Sequence, residues 1–87
     1  MALNKTYTTE RGTTMTLTPI LPGWFQMSDG QGHFANIKKT EGRRGWGSDV
    51  RRHEAYNGSH VLRTGDWWAT KAEAIEMVAE QIELRQV

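Results

Sequence analysis

The feature that most constrains this fold is a glycine-rich stretch, DGQGH, flanked on both sides by alternating apolar and polar residues. Such a pattern predicts a β-hairpin. With a five-residue loop, Met27 lies opposite Ala35 and Phe25 lies opposite Ile37, so that one face of the hairpin is entirely apolar. A four-residue loop would mix apolar with polar residues in every pair. Because a shift of one residue exchanges the two faces of a strand, burial selects the five-residue loop. Strands are therefore expected at residues 24–28 and 34–39.

A further strand precedes this hairpin. Residues 14–18 alternate strictly between threonine and a large apolar residue, and this alternation predicts that Met15 and Leu17 face the core. Pro19 and Pro22 follow directly. Because proline has no backbone N–H to donate, they limit this strand to the edge of a sheet or force it to bend.

A second hairpin is predicted around Asn57-Gly58, a pair of residues that favours a two-residue turn. Its strands would span residues 50–56 and 59–63. Such a turn pairs Tyr56 with Ser59 and Glu54 with Val61. Neither face of this hairpin is clearly apolar, so its orientation stays open.

The chain is expected to end in a helix. Thr70 and Glu73 have the spacing of a capping box, in which each side chain satisfies a free backbone N–H. The helix should bury one apolar stripe and expose an acidic one, and it should end near Leu84 or Arg85. The apolar stripe comprises Ala72, Ile75, Val78, Ala79 and Ile82, and the acidic stripe comprises Glu73, Glu76, Glu80 and Glu83. Just before the helix, Trp67 and Trp68 should point to opposite faces.

Together these elements predict an α+β fold: an antiparallel sheet of four or five strands with one C-terminal helix packed on one face. Residues 1–13 show no sustained period and are expected to form a flexible N-terminal segment, and residues 14–87 should form a single domain. The chain has no cysteine, no signal peptide and no long apolar run, a combination that predicts a cytoplasmic protein without a membrane partner. Its core is thin, so a homodimer stays possible.

The net charge of +1 conceals an asymmetric distribution. Residues 38–63 hold seven of the eleven Lys and Arg residues against three acidic residues, a net charge of +4, whereas residues 64–87 carry −3. A basic middle and an acidic end indicate a surface that attracts negative charge, and they do not by themselves identify the partner.

The most suggestive basic segment is GRRGWG at residues 42–47, which is expected to lie in a loop over residues 40–48. Arg43 and Arg44 could each bind a phosphate in a bidentate manner, and Trp46 offers a ring on which a base could stack. Alternatively, the segment is a flexible hairpin tip whose tryptophan folds back onto the core. Its spacing matches no phosphate-binding loop.

A second candidate surface is the polar face of the first hairpin, which combines aromatic rings, amides and a lysine: Trp24, Gln26, Phe34, Asn36 and Lys38. Aromatic rings stack on bases, amides reach base edges and lysine binds phosphate. The alternative is that Trp24 and Phe34 are covered by other segments of the chain. In the second hairpin, Arg63 is expected opposite Arg52, a like-charge pair that an anion or Glu54 would have to compensate.

Catalytic and metal sites are not expected. His33, His53 and His60 do not have the spacing of a zinc site, and no nucleophile with a neighbouring base is recognisable. The glutamates of the helix lie on the face expected to meet solvent. We therefore expect no enzyme activity and no cofactor.

The segment WWATKAEA at residues 67–74 resembles the strand-to-helix junction of several small domains in which a sheet precedes a helix. One such family is the arm-type DNA-binding domain of tyrosine recombinases, where a three-stranded sheet lies in the major groove with a helix behind it. The resemblance implies an architecture and no individual functional residue. This chain departs from that family in its larger number of expected strands and in the absence of a following catalytic domain.

The sequence thus predicts a small non-catalytic binding module that binds nucleic acid, DNA or RNA, through a basic hairpin and loop surface. The predicted binding residues are Lys38, Lys39, Arg43, Arg44, Trp46, Arg51, Arg52 and Arg63. The alternative is a free-standing protein of a phage or mobile element that inhibits a host nucleic-acid-handling machine, as anti-restriction and anti-CRISPR proteins do. In that case the acidic helix stripe or the Arg/Trp loop would contact the host protein.

Overall fold

The computed structural model describes residues 5–42, 44–54 and 58–86, which form one antiparallel sheet and a C-terminal helix. Within these residues, six strands lie side by side in chain order, each paired with the next. They are β1 (Lys5–Thr8), β2 (Thr14–Leu21), β3 (Trp24–Ser28), β4 (His33–Lys39), β5 (Trp46–Glu54) and β6 (Gly58–Trp68), followed by helix α1 (Lys71–Glu83). The predicted α+β class is confirmed, but the predicted four or five strands are too few.

The first hairpin has the register that burial selects. Met27 pairs with Ala35 and Phe25 with Ile37 across β3 and β4. All four side chains are buried in the core. This prediction is confirmed because only one register placed every large apolar side chain on the same face.

The additional strand, β1, lies in the segment predicted to be a flexible terminus. Its Tyr7 pairs with Met15 of β2 and packs against the core. The ring of Tyr7 provides the apolar contact of this short polar strand. A single aromatic residue is too weak a pattern to predict a strand from the sequence. In β2, Met15 and Leu17 face the core as predicted. The register of β2 shifts between Pro19 and Leu21, which is the irregularity expected where proline interrupts a strand.

The predicted register of the second hairpin is wrong. Glu54 pairs with Gly58, whereas Val61 pairs with Arg51. Residues 55–57, which include the predicted partner Tyr56, lie outside the described residues. Gly58 has φ +77°, a conformation that glycine adopts readily. Arg63 lies opposite Val50 and not opposite Arg52, so the predicted like-charge pair does not form.

The loop predicted over residues 40–48 is shorter than expected, because β5 already begins at Trp46. The turn is closed by hydrogen bonds from the backbone N–H and the Oγ1 of Thr40 to the carbonyl oxygen of Gly45, at 3.1 and 3.0 Å. Glycines at 42, 45 and 47 suggested a longer loop in the sequence. Gly47, however, lies within the strand.

Helix α1 begins as predicted: the Oγ1 of Thr70 accepts a hydrogen bond from the backbone N–H of Glu73 at 3.1 Å. Its buried stripe differs from the prediction at one position, since Ala74 is buried and Ala72 is exposed. At the other end, Arg85 donates to the carbonyl oxygen of Gln81 at 2.9 Å, which satisfies a free C-terminal carbonyl.

The helix covers one face of the sheet, and the core lies between them. Its buried side chains come from β2 to β5 and from α1: Met15, Phe25, Met27, Ala35, Ile37, Val50, Ala74, Val78, Ala79 and Ile82. Trp68 faces this side, where its Nε1 donates to Ser48 Oγ at 2.8 Å. Trp67 points to the opposite face and is 45% exposed, as the alternation predicted. No helix in the described part of the chain is long and apolar enough to cross a membrane.

Candidate binding face of the sheet

The face of the sheet opposite α1, which we call the open face, carries polar and aromatic side chains. Among the described residues, no helix packs on it. The strand registers bring together on this face Thr16, Thr18, Trp24, Gln26, Ser28, Phe34, Asn36, Lys38, Gly47, Asp49, Arg51, His53, Ser59, Val61 and Trp67. It includes all five residues that the sequence grouped on the polar face of the first hairpin.

A hydrogen-bond network fixes the centre of the open face. The Oδ1 of Asn36 accepts hydrogen bonds from Trp24 Nε1 at 3.1 Å and from Gln26 Nε2 at 2.9 Å. These two donors determine which atom of the amide is oxygen, so the Nδ2 group of Asn36 is left pointing away from them as a donor. The Nζ of Lys38 lies 4.4 Å from the centroid of the Trp24 ring, within the range of a cation–π contact.

The neighbouring row of the open face contains a second aromatic contact. Phe34 and His53 lie with ring centroids 4.6 Å apart and planes inclined by 31°. Beside them, Arg51 donates from Nε to Asp49 Oδ2 at 2.9 Å and from Nη1 to Ser59 Oγ at 3.1 Å. Asp49 also accepts from the backbone N–H of Asn36 at 3.1 Å, which connects this ion pair to the central network.

Trp67 closes one end of the open face. Its Nε1 donates to the carbonyl oxygen of Arg44 at 3.1 Å, and its ring lies directly over Gly45. A Cβ atom at position 45 would lie 2.3 Å from that ring, and Gly45 has φ +107°. Only glycine satisfies both conditions without strain. The β4–β5 turn is therefore attached to β6 by this tryptophan.

The predicted cationic residues do not gather on one surface. Lys38 and Arg51 lie on the open face, whereas Arg52 pairs with His60 on the other face and Arg63 lies beside α1, where it shares Asp66 with Gln81. Lys39 and Arg44 are exposed at the end of the sheet, beside the β4–β5 turn. Arg43 is outside the described residues. The strand register and the position of α1 therefore distribute the described cationic residues over both faces and one end of the sheet.

Three of these guanidinium groups are already paired with carboxylates. Arg51 lies 2.9 Å from Asp49, Arg52 lies 3.5 Å from Glu54 and Arg63 lies 2.6 Å from Asp66. The hydrogen bond from Arg63 lowers the pKa of Asp66, with a further contribution from Gln81, and burial opposes this shift. Internal carboxylates thus reduce the positive potential that the sequence assigned to this region.

Trp46 folds back onto the core, as in the alternative interpretation of the GRRGWG segment at residues 42–47. It lies on the helix side of β5, packs against the core and meets the ring of Phe25 edge-on at 5.8 Å. A ring held in this way covers the core and offers no free face on the open side of the sheet.

Sequence reasoning missed three residues of the open face. Gly47 was assigned to a loop, Asp49 was counted only as a charge, and Trp67 was not connected to the face of the first hairpin. The signal for Asp49 was present, because it alternates with Arg51 along β5. The neighbours of Gly47 and Trp67 depend on the register of β6, which the sequence did not determine.

Among the described residues, no group of three or more His, Cys, Asp or Glu side chains is placed to hold a metal ion. Comparison with protein-family models, with curated proteins and with solved structures finds no match to this chain. The resemblance to arm-type DNA-binding domains therefore stays a prediction.

Proposed function

We propose that this chain is a non-catalytic module that binds single-stranded nucleic acid on the open face of its sheet. This places the binding surface on β3, β4 and β5, not on the basic hairpin and loop. The residues proposed to contact the strand are Trp24, Phe34, Asn36, Lys38 and Arg51.

The observation that supports this proposal most directly is the pair of aromatic rings on adjacent central strands. Trp24 is approached by Lys38, and Phe34 is stacked against His53. Sheets that bind single strands use aromatic side chains on central strands to stack bases and cationic side chains to contact the backbone. The amides of Gln26 and Asn36 lie between the two rings, where they can reach the edges of stacked bases.

The dimensions of the sheet favour a single strand over a duplex. With strands about 4.8 Å apart, six strands make a surface about 24 Å wide. The major groove of B-DNA is about 12 Å wide and admits a helix or a two-stranded ribbon. The open face is therefore too broad to enter the groove, whereas a single strand with unstacked bases can lie across it.

Two variants test the proposal, each of which removes one positive charge from a different face of the sheet. Lys38→Ala removes a cation from the open face, and Arg52→Ala removes one from the opposite face. We expect Lys38→Ala to weaken binding of a labelled 12-nucleotide single strand about fivefold, which corresponds to the roughly 1 kcal/mol of one exposed cation contact. Arg52→Ala should bind as the wild type does. Fluorescence anisotropy at low salt, with a duplex of the same sequence for comparison, measures both.

Three results of this experiment would contradict the proposal: no binding of any strand by the wild type, tighter binding of the duplex than of the single strand, or an equal loss in both variants. An equal loss would return the binding surface to the basic hairpin that the sequence predicted.

A second candidate function is inhibition of a host nucleic-acid-handling protein, and one observation favours it. An apolar groove of about 270 Å³ lies on the helix side, between the β2–β3 turn and the start of α1, with Lys5 and Lys71 among its lining residues. Leu21 at this groove is 62% exposed, as protein contact surfaces often are. Capture of a host protein that survives nuclease treatment and is lost in Leu21→Glu would support this function, whereas capture that nuclease abolishes would support nucleic-acid binding.

A further inference from the structure

The open face contains a shallow depression of about 310 Å³, a volume at the lower end of the range of ligand pockets. It lies across β5, between β4 and β6. Its lining residues include Asn36, Lys38, Gly47, Asp49, Thr64 and Gly65.

Gly47, which lines this depression, is not required by the backbone. The other eight glycines of the chain have positive φ angles, whereas Gly47 does not. A Cβ atom at position 47 would meet nothing closer than the carbonyl oxygen of Asp66 at 3.9 Å. Glycine inside a strand weakens it and often marks a place where a ligand approaches the backbone closely. The fold would accept a side chain here, and its absence leaves the space open.

The far wall of the depression is formed by an irregularity in β6. Ser48 pairs with Asp66 and Val50 pairs with Arg63, so Thr64 and Gly65 have no partner in the register. Such bulges bend a strand and recur beside functional sites. The bulge lies opposite Asp49, between the Ser48–Asp66 and Val50–Arg63 pairs and next to Gly47.

The near wall presents both donors and an acceptor. The Oδ1 of Asn36 accepts both neighbouring donors. Its Nδ2 group has no hydrogen-bond partner among the described residues. Lys38 has no ion pair within the described part of the chain. The Asp49 carboxylate accepts from Asn36 and Arg51 and retains further lone pairs.

The groups around the depression suit a flat polar ligand. Lys38, Lys39 and Asp49 line it, and Asp49 is paired with Arg51. A phosphate placed beside Asn36 would approach the Asp49 carboxylate, whereas a flat heterocycle with donors and acceptors on its edge would meet both the donors and the acceptor. The Trp24 and Lys38 contact provides an adjacent surface for the strand to continue.

We propose that this depression receives one unstacked nucleobase of the bound strand, which Asn36 and Asp49 contact at its edge. This inference rests on the proposed function, since it assigns a position to one base of that strand.

The test compares the wild type with Gly47→Val, whose side chain would occupy the depression, and with Gly47→Ala, which adds only a methyl group. The ligand is a 9-nucleotide single strand of mixed sequence, measured by fluorescence anisotropy. We expect Gly47→Val to bind on the order of tenfold more weakly, as expected from the loss of one base contact, and Gly47→Ala to lie in between. The melting temperature of each variant reports whether the fold is retained.

Equal binding by the wild type and a folded Gly47→Val would overturn this inference and leave the proposed function standing. Absence of binding by the wild type would overturn both. Should Gly47→Val fail to fold, strands with a single abasic site moved along the sequence replace it. The inference then predicts one position at which loss of the base weakens binding by the wild type, and uniform binding across all positions would contradict it.

Discussion

At the scale of single residues, two glycines that are two positions apart have opposite roles. Gly45 has a positive φ and lies beneath the ring of Trp67, whereas Gly47 has neither constraint. The sequence shows both within one glycine-rich segment and cannot distinguish them. The difference arises from β6, which places Trp67 over one glycine and leaves space above the other.

Gly45→Ala should therefore destabilise the protein by about 2–4 kcal/mol, because the added methyl group meets the Trp67 ring and the backbone is strained. Gly47→Ala, the matched control, should change the free energy of unfolding by less than about 0.5 kcal/mol or stabilise the strand. Urea denaturation of both variants measures the difference. Similar destabilisation by the two substitutions would contradict the position assigned to Trp67.

Asp29 organises the turn of the first hairpin. Its buried carboxylate accepts from the backbone N–H groups of Gln31 and His33, from His33 Nδ1 and from Gln86 Nε2. Burial alone would raise the pKa of Asp29, but the hydrogen bonds from Gln86, Gln31 and His33 outweigh it, so the pKa lies below its usual value. The contribution of Asp29 to stability is therefore present above the unfolded pKa of roughly 3.9 and is lost as the pH falls through the lower folded value.

Asp29→Asn should lower the free energy of unfolding at pH 7 by about 1–2 kcal/mol, since it removes the charge that these donors stabilise. It should also make the loss of stability below pH 4 shallower than in the wild type. Some loss remains, because the pKa values of Asp66 and Glu83 are lowered as well, the first by Arg63 and the second by Thr9. Urea titrations between pH 2 and pH 7 test this, and parallel curves for the two proteins would contradict it.

At the scale of whole elements, the sequence predicted a register where burial left one solution. In the first hairpin, four apolar residues share a face only in the observed register. In the second hairpin, both faces mix apolar and charged residues, and two irregularities in β6 break the alternation. Leu62 packs against the core while Val61 lies exposed on the open face. No local sequence pattern predicts such register shifts.

The same distinction applies to the candidate site. Trp24, Gln26, Phe34, Asn36 and Lys38 could be grouped from alternation in the first hairpin alone. Asp49, Gly47 and Trp67 join them only through pairings between β4, β5 and β6. Strand pairing and the position of α1 likewise separate Arg52 and Arg63 from Lys38. Local sequence patterns do not predict this separation.

The helix provides a direct test of the corrected buried stripe. Ala74 is fully buried and Ala72 is exposed. Ala74→Leu should destabilise the protein by about 1–3 kcal/mol through overpacking, and Ala72→Leu should change stability by less than about 0.5 kcal/mol. Both variants are compared by urea denaturation. A larger effect at position 72 would restore the stripe predicted from the sequence.

At the scale of the whole molecule, the distribution of cations determines how strongly salt should weaken binding. Seven cationic residues on one surface would give a slope of log affinity against log salt near −5, at about 0.7 for each phosphate contact to a single strand. Among the described residues of the predicted set, only Lys38 and Arg51 lie on the open face. Binding there should show a slope between about −1 and −2.

Anisotropy titrations from 50 to 300 mM salt give this slope. A value near −4 or steeper would require a surface that includes Arg52, Arg63 and the β4–β5 turn. A shallow slope together with measurable affinity would indicate that stacking and amide contacts supply most of the binding free energy.

The central claim is that the face of the sheet opposite α1 is the binding surface. The most direct measurement is a ¹H–¹⁵N NMR titration of the labelled protein with a 12-nucleotide single strand. We predict the largest shifts for the amides of β3, β4 and β5 and for the indole N–H of Trp24, with little change in α1. Shifts concentrated at Arg52, Arg63 and the helix, or no shifts at all, would contradict the claim.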